Sequence, residues 1–305
     1  MQKIDVLCVG ATSYDLVFRV DHHPESDEKT CADAFIRCGG GPAANASVTV
    51  ARMGLRSAFA GYLGTDIFGE LHLQELQAAG VDTELVVQGE YPTPLSCVLA
   101  NPSGERSLVN YRDSHSALSA ECIDFSLVFP KVILFDGHEP ELSLPLMHHA
   151  LNKGIKTVLD AGSLNKGTAQ LFDKVDYLVC SERFAHEQTG ASSPQEALEH
   201  LLTGSPCVVI TRGKRGLIWK NDGGVGTLPA FPVDVKDTTG AGDVFHGAFA
   251  GCLAMGKGWM ETLTYSSAAA ALCCTKLGAR TGIPEGREVE QFLEKAALQP
   301  SAKRS

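Results

Sequence analysis
The run Asp237-Thr238-Thr239-Gly240-Ala241-Gly242-Asp243 sets two glycines and an acid against Val244–Met255, a segment small and apolar nearly all round. That composition predicts a buried helix. The amides of Gly240, Ala241 and Gly242 would then stand unpaired at the positive end of its dipole. Phosphate oxygens, and the extra charge of a phosphoryl-transfer transition state, are stabilised at such a place. Asp243 falls in the same first turn. A carboxylate there repels phosphate, so an inert role is poor design, whereas a base toward an alcohol attacking phosphorus has a purpose. The plainer reading, an acidic helix cap, stays open on spacing alone.

A second cluster, Cys38-Gly39-Gly40-Gly41-Pro42-Ala43-Ala44-Asn45, puts glycines directly before a helix start. Glycine lets backbone approach a ligand closely, and Asn45 in the first turn could both donate to and accept from a polyol. A tight turn without function explains the same run. It is not a dinucleotide fingerprint, and Gly10-Ala11-Thr12-Ser13-Tyr14-Asp15 after the first strand does not supply one either, which excludes a nicotinamide dehydrogenase. A third turn, Thr211-Arg212-Gly213-Lys214-Arg215-Gly216, could flank a nucleotide or be a plain hairpin. No Gly-x4-Gly-Lys-Ser/Thr element occurs, so nucleotide use would not be of the P-loop type.

These residues need a frame. Apolar runs at Val6–Gly10, Ser57–Gly64, Val132–Asp136, Thr157–Asp160, Tyr177–Cys180 and Val208–Thr211 predict strands. Helices Pro42–Met53, Asp66–Ala79 and Pro140–Lys153 fall between strands, each closing on a glycine. The alternation predicts an α/β fold with a doubly wound, mainly parallel sheet. Two stretches interrupt it: Asp15–Arg37, and a hairpin of Ser96–Ala100 and Arg106–Tyr111 around Asn101-Pro102-Ser103-Gly104. Both suit a small antiparallel sheet acting as a lid, with loop decoration as the alternative. The tail Pro300–Ser305 reads as frayed.

Composition narrows the class. Of 305 residues, 44% are hydrophobic and 20% charged, which excludes disorder as the overall state. Lys plus Arg number 26 against 36 Asp plus Glu, a net charge of −10, so no global basic field for nucleic acid or anionic membrane exists. No apolar run is long enough to span a membrane, and the acid in Met-Gln-Lys-Ile-Asp argues against a signal peptide. The ten cysteines include no Cys-x2-Cys pair and read as reduced core thiols of a cytoplasmic protein.

Gly39–Gly69 resembles the first signature of the PfkB (ribokinase-like) carbohydrate kinases, and Asp237–Phe249 resembles their second. The similarity runs from about Asp5 to Phe292. It implies a single ribokinase-like domain over 1–305, with a β-sheet lid formed by about 12–38 and 90–113. The implied reaction is ATP-dependent phosphorylation of a sugar alcohol. By the same resemblance Asp243 is the base, and Gly240, Ala241 and Gly242 the anion hole. Asp15, Gly40, Gly41 and Asn45 correspond to sugar-hydroxyl ligands, and Thr211, Gly213 and Gly216 to the nucleotide loop. Asp237 and Thr239, with the loop Lys276–Gly282, match segments forming a monovalent-cation (K+) site. The family's Asn-x-x-Glu motif, tied to the Mg2+–phosphate network, is replaced by Ser181-Glu182-Arg183-Phe184. Mg2+ use should survive, because MgATP brings the ion, with Glu182 as the candidate for the magnesium network and Ser181 as a nucleotide-binding residue.

Within the family the resemblance is to ketohexokinase-like and sulfofructose-kinase-like bacterial sugar kinases. Lys29 and Asn110 align with residues that grip a sulfonate there. The third grip position is His138, a weaker anion ligand than a bidentate guanidinium. A keto-hexose or related sugar is the expected substrate, with an anionic sugar (sulfofructose or a phosphosugar) as the alternative. A catalytically silent sensor is disfavoured because Asp243 is present. The expected partners are small molecules, with a homodimer formed through the lid.

Overall fold
In the computed structural model, residues 3–103, 106–113, 118–125 and 128–298 are described. Gly104 of the hairpin turn and the tail Pro300–Ser305 lie outside them. Nine strands form one sheet: β1 (Lys3–Val9), β4 (Ser57–Gly64), β5 (Val86–Gly89), β8 (Phe129–Phe135), β9 (Lys156–Ala161), β10 (Tyr177–Ser181), β11 (Val208–Thr211), β12 (Leu217–Asn221) and β13 (Gly224–Leu228). Their order is β13-β12-β11-β10-β9-β8-β1-β4-β5. All pairs are parallel except β11–β12 and β12–β13, an antiparallel edge of which the sequence offered only the possible hairpin at Thr211–Gly216.

Alternate side chains of each central strand enter two different cores. Val6 and Cys8 pack in one, while Leu7 and Val9 pack in the other. Strands buried on both faces read as continuous apolar runs, which is why the sequence showed them. The first core is covered by α1 (Pro42–Arg52), α2 (Ile67–Ala78), α7 (Ala241–Met255), α8 (Trp259–Cys273) and α10 (Gly286–Leu298). The second is covered by α3 (Pro140–Lys153), α4 (Lys166–Leu171), α5 (Glu182–Thr189) and α6 (Pro194–Leu201). Helix ends follow local chemistry. Asp66 caps α2 by accepting from the Gly69 amide at 2.8 Å, and α3 stops at Gly154, which takes φ 65°. Six of the ten cysteines are buried, Cys31 and Cys122 are exposed, and none is in a disulfide.

The lid is a four-stranded sheet of β2 (Ser13–Arg19), β3 (Ala34–Gly40), β6 (Leu95–Ala100) and β7 (Arg106–Tyr111), ordered β3-β2-β6-β7. It is mixed rather than antiparallel, because its central pair β2–β6 is parallel. The two lid segments leave the core after β1 and β5, which flank β4, and run outward together, so only their hairpin partners β3 and β7 reverse direction. Cys38, Asp15, Ser96 and Asn110 fall in one cross-strand row.

Candidate active site
Helix α7 is buried along eleven of its fifteen residues, as its composition requires. It lies close to α1: a Cβ at Gly247 would come within 2.6 Å of the Ala46 carbonyl oxygen. That contact, one turn beyond Asp243 and one residue beyond Asn45, brings the two predicted site residues together. Asn45 Nδ2 donates to Asp243 Oδ2 at 2.8 Å. At the head of α7, Gly240 takes φ 79° and a Cβ there would meet that of Ala279 at 2.5 Å, so only glycine fits. The Ala241 amide already donates to the Thr238 carbonyl at 3.3 Å. The expectation of three free amides is corrected accordingly, since Ala241 is spent in the turn. Gly242 is exposed, with open space where its Cβ would be.

Asp15 is buried and accepts from Ser13 Oγ at 2.6 Å. Its pKa is raised, first by burial and further by the nearby Asp243, while hydrogen bonds from Ser13 and Ser96 pull the other way. A Cβ at Gly40 would strike Asp15 Oδ2 at 2.2 Å, and Gly41, at φ 94°, lies against the Ala11 carbonyl. Asp15, Gly40, Gly41, Asn45 and Asp243 thus line one cleft at the carboxyl ends of the strands. Asn45 is less free than expected, because its Oδ1 accepts from Arg280 Nε at 3.3 Å. One acceptor site and one N–H of its amide are thereby engaged, and the second N–H remains for a polyol.

The side chains of Lys29 and His138 are exposed, and His138 joins the cleft only through its backbone amide. Asn110 is also exposed and reaches the cleft only through Ser96, whose hydroxyl donates to Asn110 Oδ1 at 2.9 Å. The loop after β11 folds as a hairpin turn in which the Arg212 amide donates to the Gly216 carbonyl at 2.8 Å. Gly213 and Gly216 have φ 56° and 78°, and Thr211 Oγ1 donates to the Cys180 carbonyl. Ser181 caps α5 through the Phe184 amide and donates to the Gly162 carbonyl at 2.7 Å. Glu182 is ion-paired with Arg215, and with Arg212 at 3.7 Å. Neither side chain is turned out as a ready magnesium ligand. Asp237 accepts from Thr239 through Oδ1 and from the Gly278 amide through Oδ2, at 2.8 Å, tying together the two loops implied for a monovalent cation. Both its oxygens are engaged, so it shapes that place rather than offering a free ligand.

Four functional groups escaped the sequence reading. Asp136, ending β8, accepts from the amides of Ala11 (2.7 Å), Ala43 (3.2 Å) and His138 (2.9 Å). One carboxylate thereby sets three of the cleft's loops. Asp160, ending β9, is buried 3.1 Å from His246 Nδ1, which also donates to the Gly242 carbonyl at 2.6 Å. Burial, then Asp243 and Asp136, push the Asp160 carboxyl well above its usual range. Ser96 is the third and Arg280 the fourth. Strand-ending acids were a visible signal for Asp136 and Asp160, whereas Ser96 and Arg280 carried none.

A glycine-rich helix start, a carboxylate beside it and a set of polar acceptors and donors are thus gathered in one place. The family model described as pfkB family carbohydrate kinase matches residues 3–286. The chain belongs to the pfkB family of carbohydrate kinases. This pfkB kinase is 28% identical over 294 residues to the ribokinase of Bacillus subtilis, covering 95% of this chain and 99% of that one. It is 28% identical over 295 residues to fructokinase-1 of Zea mays, covering 87% and 91%. The crystal structure of a ribokinase from Thermotoga maritima superposes with a TM-score of 0.85 at 28% identity, covering 95% and 99%. The pfkB kinase is thus an ATP-dependent sugar kinase with the ribokinase-like fold. Among the described residues no helix is long and apolar enough to cross a membrane.

Proposed function
We propose that the acceptor is a neutral sugar of keto-hexose type, phosphorylated on an alcohol with Asp243 as the base. The observation carrying the neutral reading is a cavity of about 370 Å³ at His138, lined also by Arg112, Asp113, Glu139, Glu141 and Lys166. Its two cations are already paired, Arg112 with Glu139 at 2.5 Å and Lys166 with Glu141 at 2.6 Å. An anionic sugar end there would meet carboxylates before it met a free cation. Asp15 accepts from sugar hydroxyls, Asn45 donates, and Asp243 Oδ1 takes the proton of the attacking hydroxyl as the O–P bond forms. The backbone at Gly240–Gly242 meets the transferred phosphoryl group. Thr211, Gly213 and Gly216 flank the nucleotide. Magnesium enters with ATP and neutralises phosphate charge, and Asp237 and Thr239 wall a potassium site.

The anionic alternative keeps one supporting observation, that Lys29 has no ion pair among the described residues. ADP release measured over ribose, fructose, sulfofructose and fructose 6-phosphate, with wild type and Lys29→Ala, separates the readings. Fastest turnover of a neutral sugar, with little change in KM on Lys29→Ala, is expected. A steep, anion-selective rise in KM overturns the neutral assignment. The same reading takes the exposed lid side chains Phe35, Val109 and Tyr111 as the contact with a second copy.

A further inference from the structure
Arg280, on the short helix α9 (Ala279–Gly282), is 6% exposed, and no carboxylate lies within ion-pair distance of it among the described residues. Burying a guanidinium without a direct counter-ion is costly, so the surrounding geometry must use it. Its Nε donates to Asn45 Oδ1 at 3.3 Å and its Nη2 to His72 Nε2 at 3.1 Å, while Nη1 is buried without a partner. Arginine has no acceptor, so His72 must be the neutral tautomer with its proton on Nδ1. Burial, and the Arg280 cation beside it, hold the His72 imidazole well below its usual pKa in agreement. His72 is fully buried, and a Cβ on Gly39 would meet its ring at 2.3 Å, so Arg280 is anchored on a rigid support at the root of the lid.

The consequence lies at the far side of Asn45. An asparagine amide presents one acceptor and one donor group in opposite directions. With Oδ1 held by Arg280, Nδ2 must face Asp243 Oδ2, where it is found at 2.8 Å. That bond occupies Oδ2 and leaves Oδ1 as the oxygen open to a sugar hydroxyl. We propose that Arg280 is a positioning residue for phosphoryl transfer, orienting the Asp243 carboxylate through Asn45. The inference rests on Asp243 being the base.

The test is a double-mutant cycle of Arg280→Gln and Asn45→Ala, using whichever panel sugar releases ADP fastest. Arg280→Gln lowers kcat roughly tenfold to a hundredfold, the size of loss that slight misplacement of a reacting group brings, with KM for ATP and sugar much less changed. Arg280→Lys recovers part of the loss, because an ammonium can still donate to Oδ1. On an Asn45→Ala background Arg280→Gln adds little. Losses that multiply in the double variant, or a loss confined to KM or to thermal stability, overturn the proposal. Asn45→Ala by itself must cost at least as much kcat as Arg280→Gln, and a smaller cost overturns it even if the glutamine variant does not fold. The sugar-free crystal structure of Arg280→Lys or Arg280→Gln provides a readout independent of substrate. Loss or lengthening of the Asn45–Asp243 bond in the glutamine variant, with retention in the lysine variant, is expected, and an unchanged bond in the glutamine variant overturns the proposal. Asp243→Asn measured alongside distinguishes the failures. Full turnover there removes the base assignment, whereas a dead Asp243→Asn with an additive cycle removes only the relay.

Discussion

At the scale of single residues, the site is a small set of carboxylates whose environments differ. Asp243 stands half-buried at a helix start with one oxygen held by Asn45, whereas Asp15 is buried and its pKa is raised by that burial. Asp243→Asn should abolish phosphoryl transfer and leave nucleotide binding and the melting temperature near wild type, checked by ADP release and calorimetry. Turnover within about tenfold of wild type would sink the base role. Asp15 gives a pH prediction with a definite sign. In the proposed function sugar hydroxyls donate to its ionised form, and a raised pKa means that form is lost early as pH falls. The acid limb of kcat/KM should therefore lie above the ordinary aspartate range. Removing the Ser13 hydroxyl, whose hydrogen bond favours the ionised form, should move that limb further up in Ser13→Ala. A limb that stays put in the variant argues against Asp15 as the titrating group.

The elements decide how these residues meet. Helix α7 reaches α1 because Gly247 has no side chain, and its first turn meets α9 because Gly240 has none. Gly240→Ala combines a left-handed backbone cost of about 1–2 kcal/mol with a collision against Ala279. It should lower the melting temperature and reduce kcat more than tenfold, since relief of the clash displaces the anion-binding turn. Wild-type kcat in that variant would show that the turn has slack. The lid behaves as an element too. Its row Cys38–Asp15–Ser96–Asn110 contributes to the sugar side of the cleft, so sugar rather than ATP should order it. Hydrogen exchange over residues 15–37 and 96–103 should slow with a verified sugar substrate. Equal slowing with ATP alone would dissociate lid order from sugar.

For the whole molecule, the lid's outer face is the feature that the monomer leaves unexplained. Val109 is 73% and Tyr111 52% exposed on the edge strand β7, which is exposed along its length, and Phe35 is 53% exposed on β3 at the opposite edge. An apolar face beside an unpaired strand edge invites a second chain. Sedimentation should report a dimer, and Val109→Lys should shift it toward monomer while altering sugar KM, because the same sheet carries Asp15. A wild-type monomer at assay concentration would refute the lid contact. Asp5, inside β1, adds a second whole-molecule expectation. Arg56, and then Lys131, hold its carboxyl well below the usual range despite opposing burial. Such a group stabilises above the unfolded carboxylate pKa, and its contribution is lost as pH falls toward the folded value. Asp5→Asn should therefore lower the melting temperature at neutral pH and converge on wild type in strong acid.

The boundary between sequence and structure follows the range of the interactions. Strands Ser57–Gly64 and Val208–Thr211 and the helix Pro140–Lys153 were legible to the residue, because apolar runs, an initial proline and a terminal glycine act within a few positions. The head of α7 was legible for the same reason, since glycines and an acid before an apolar helix express a local electrostatic need. The parallel β2–β6 pairing was not, because two segments some eighty residues apart choose their direction by where they leave the core. Asp136 reads as a strand-ending acid in sequence, and only folding shows it gathering amides 125 and 93 residues away. Arg280 reads as one more loop cation, yet it is buried against an asparagine 235 positions earlier. Residue types and their near neighbours determined the fold class and the reacting turn. Which polar groups hold one another in place was decided by tertiary packing, because a hydrogen bond's partner is set by distance in space, and spacing along the chain records only its first few residues.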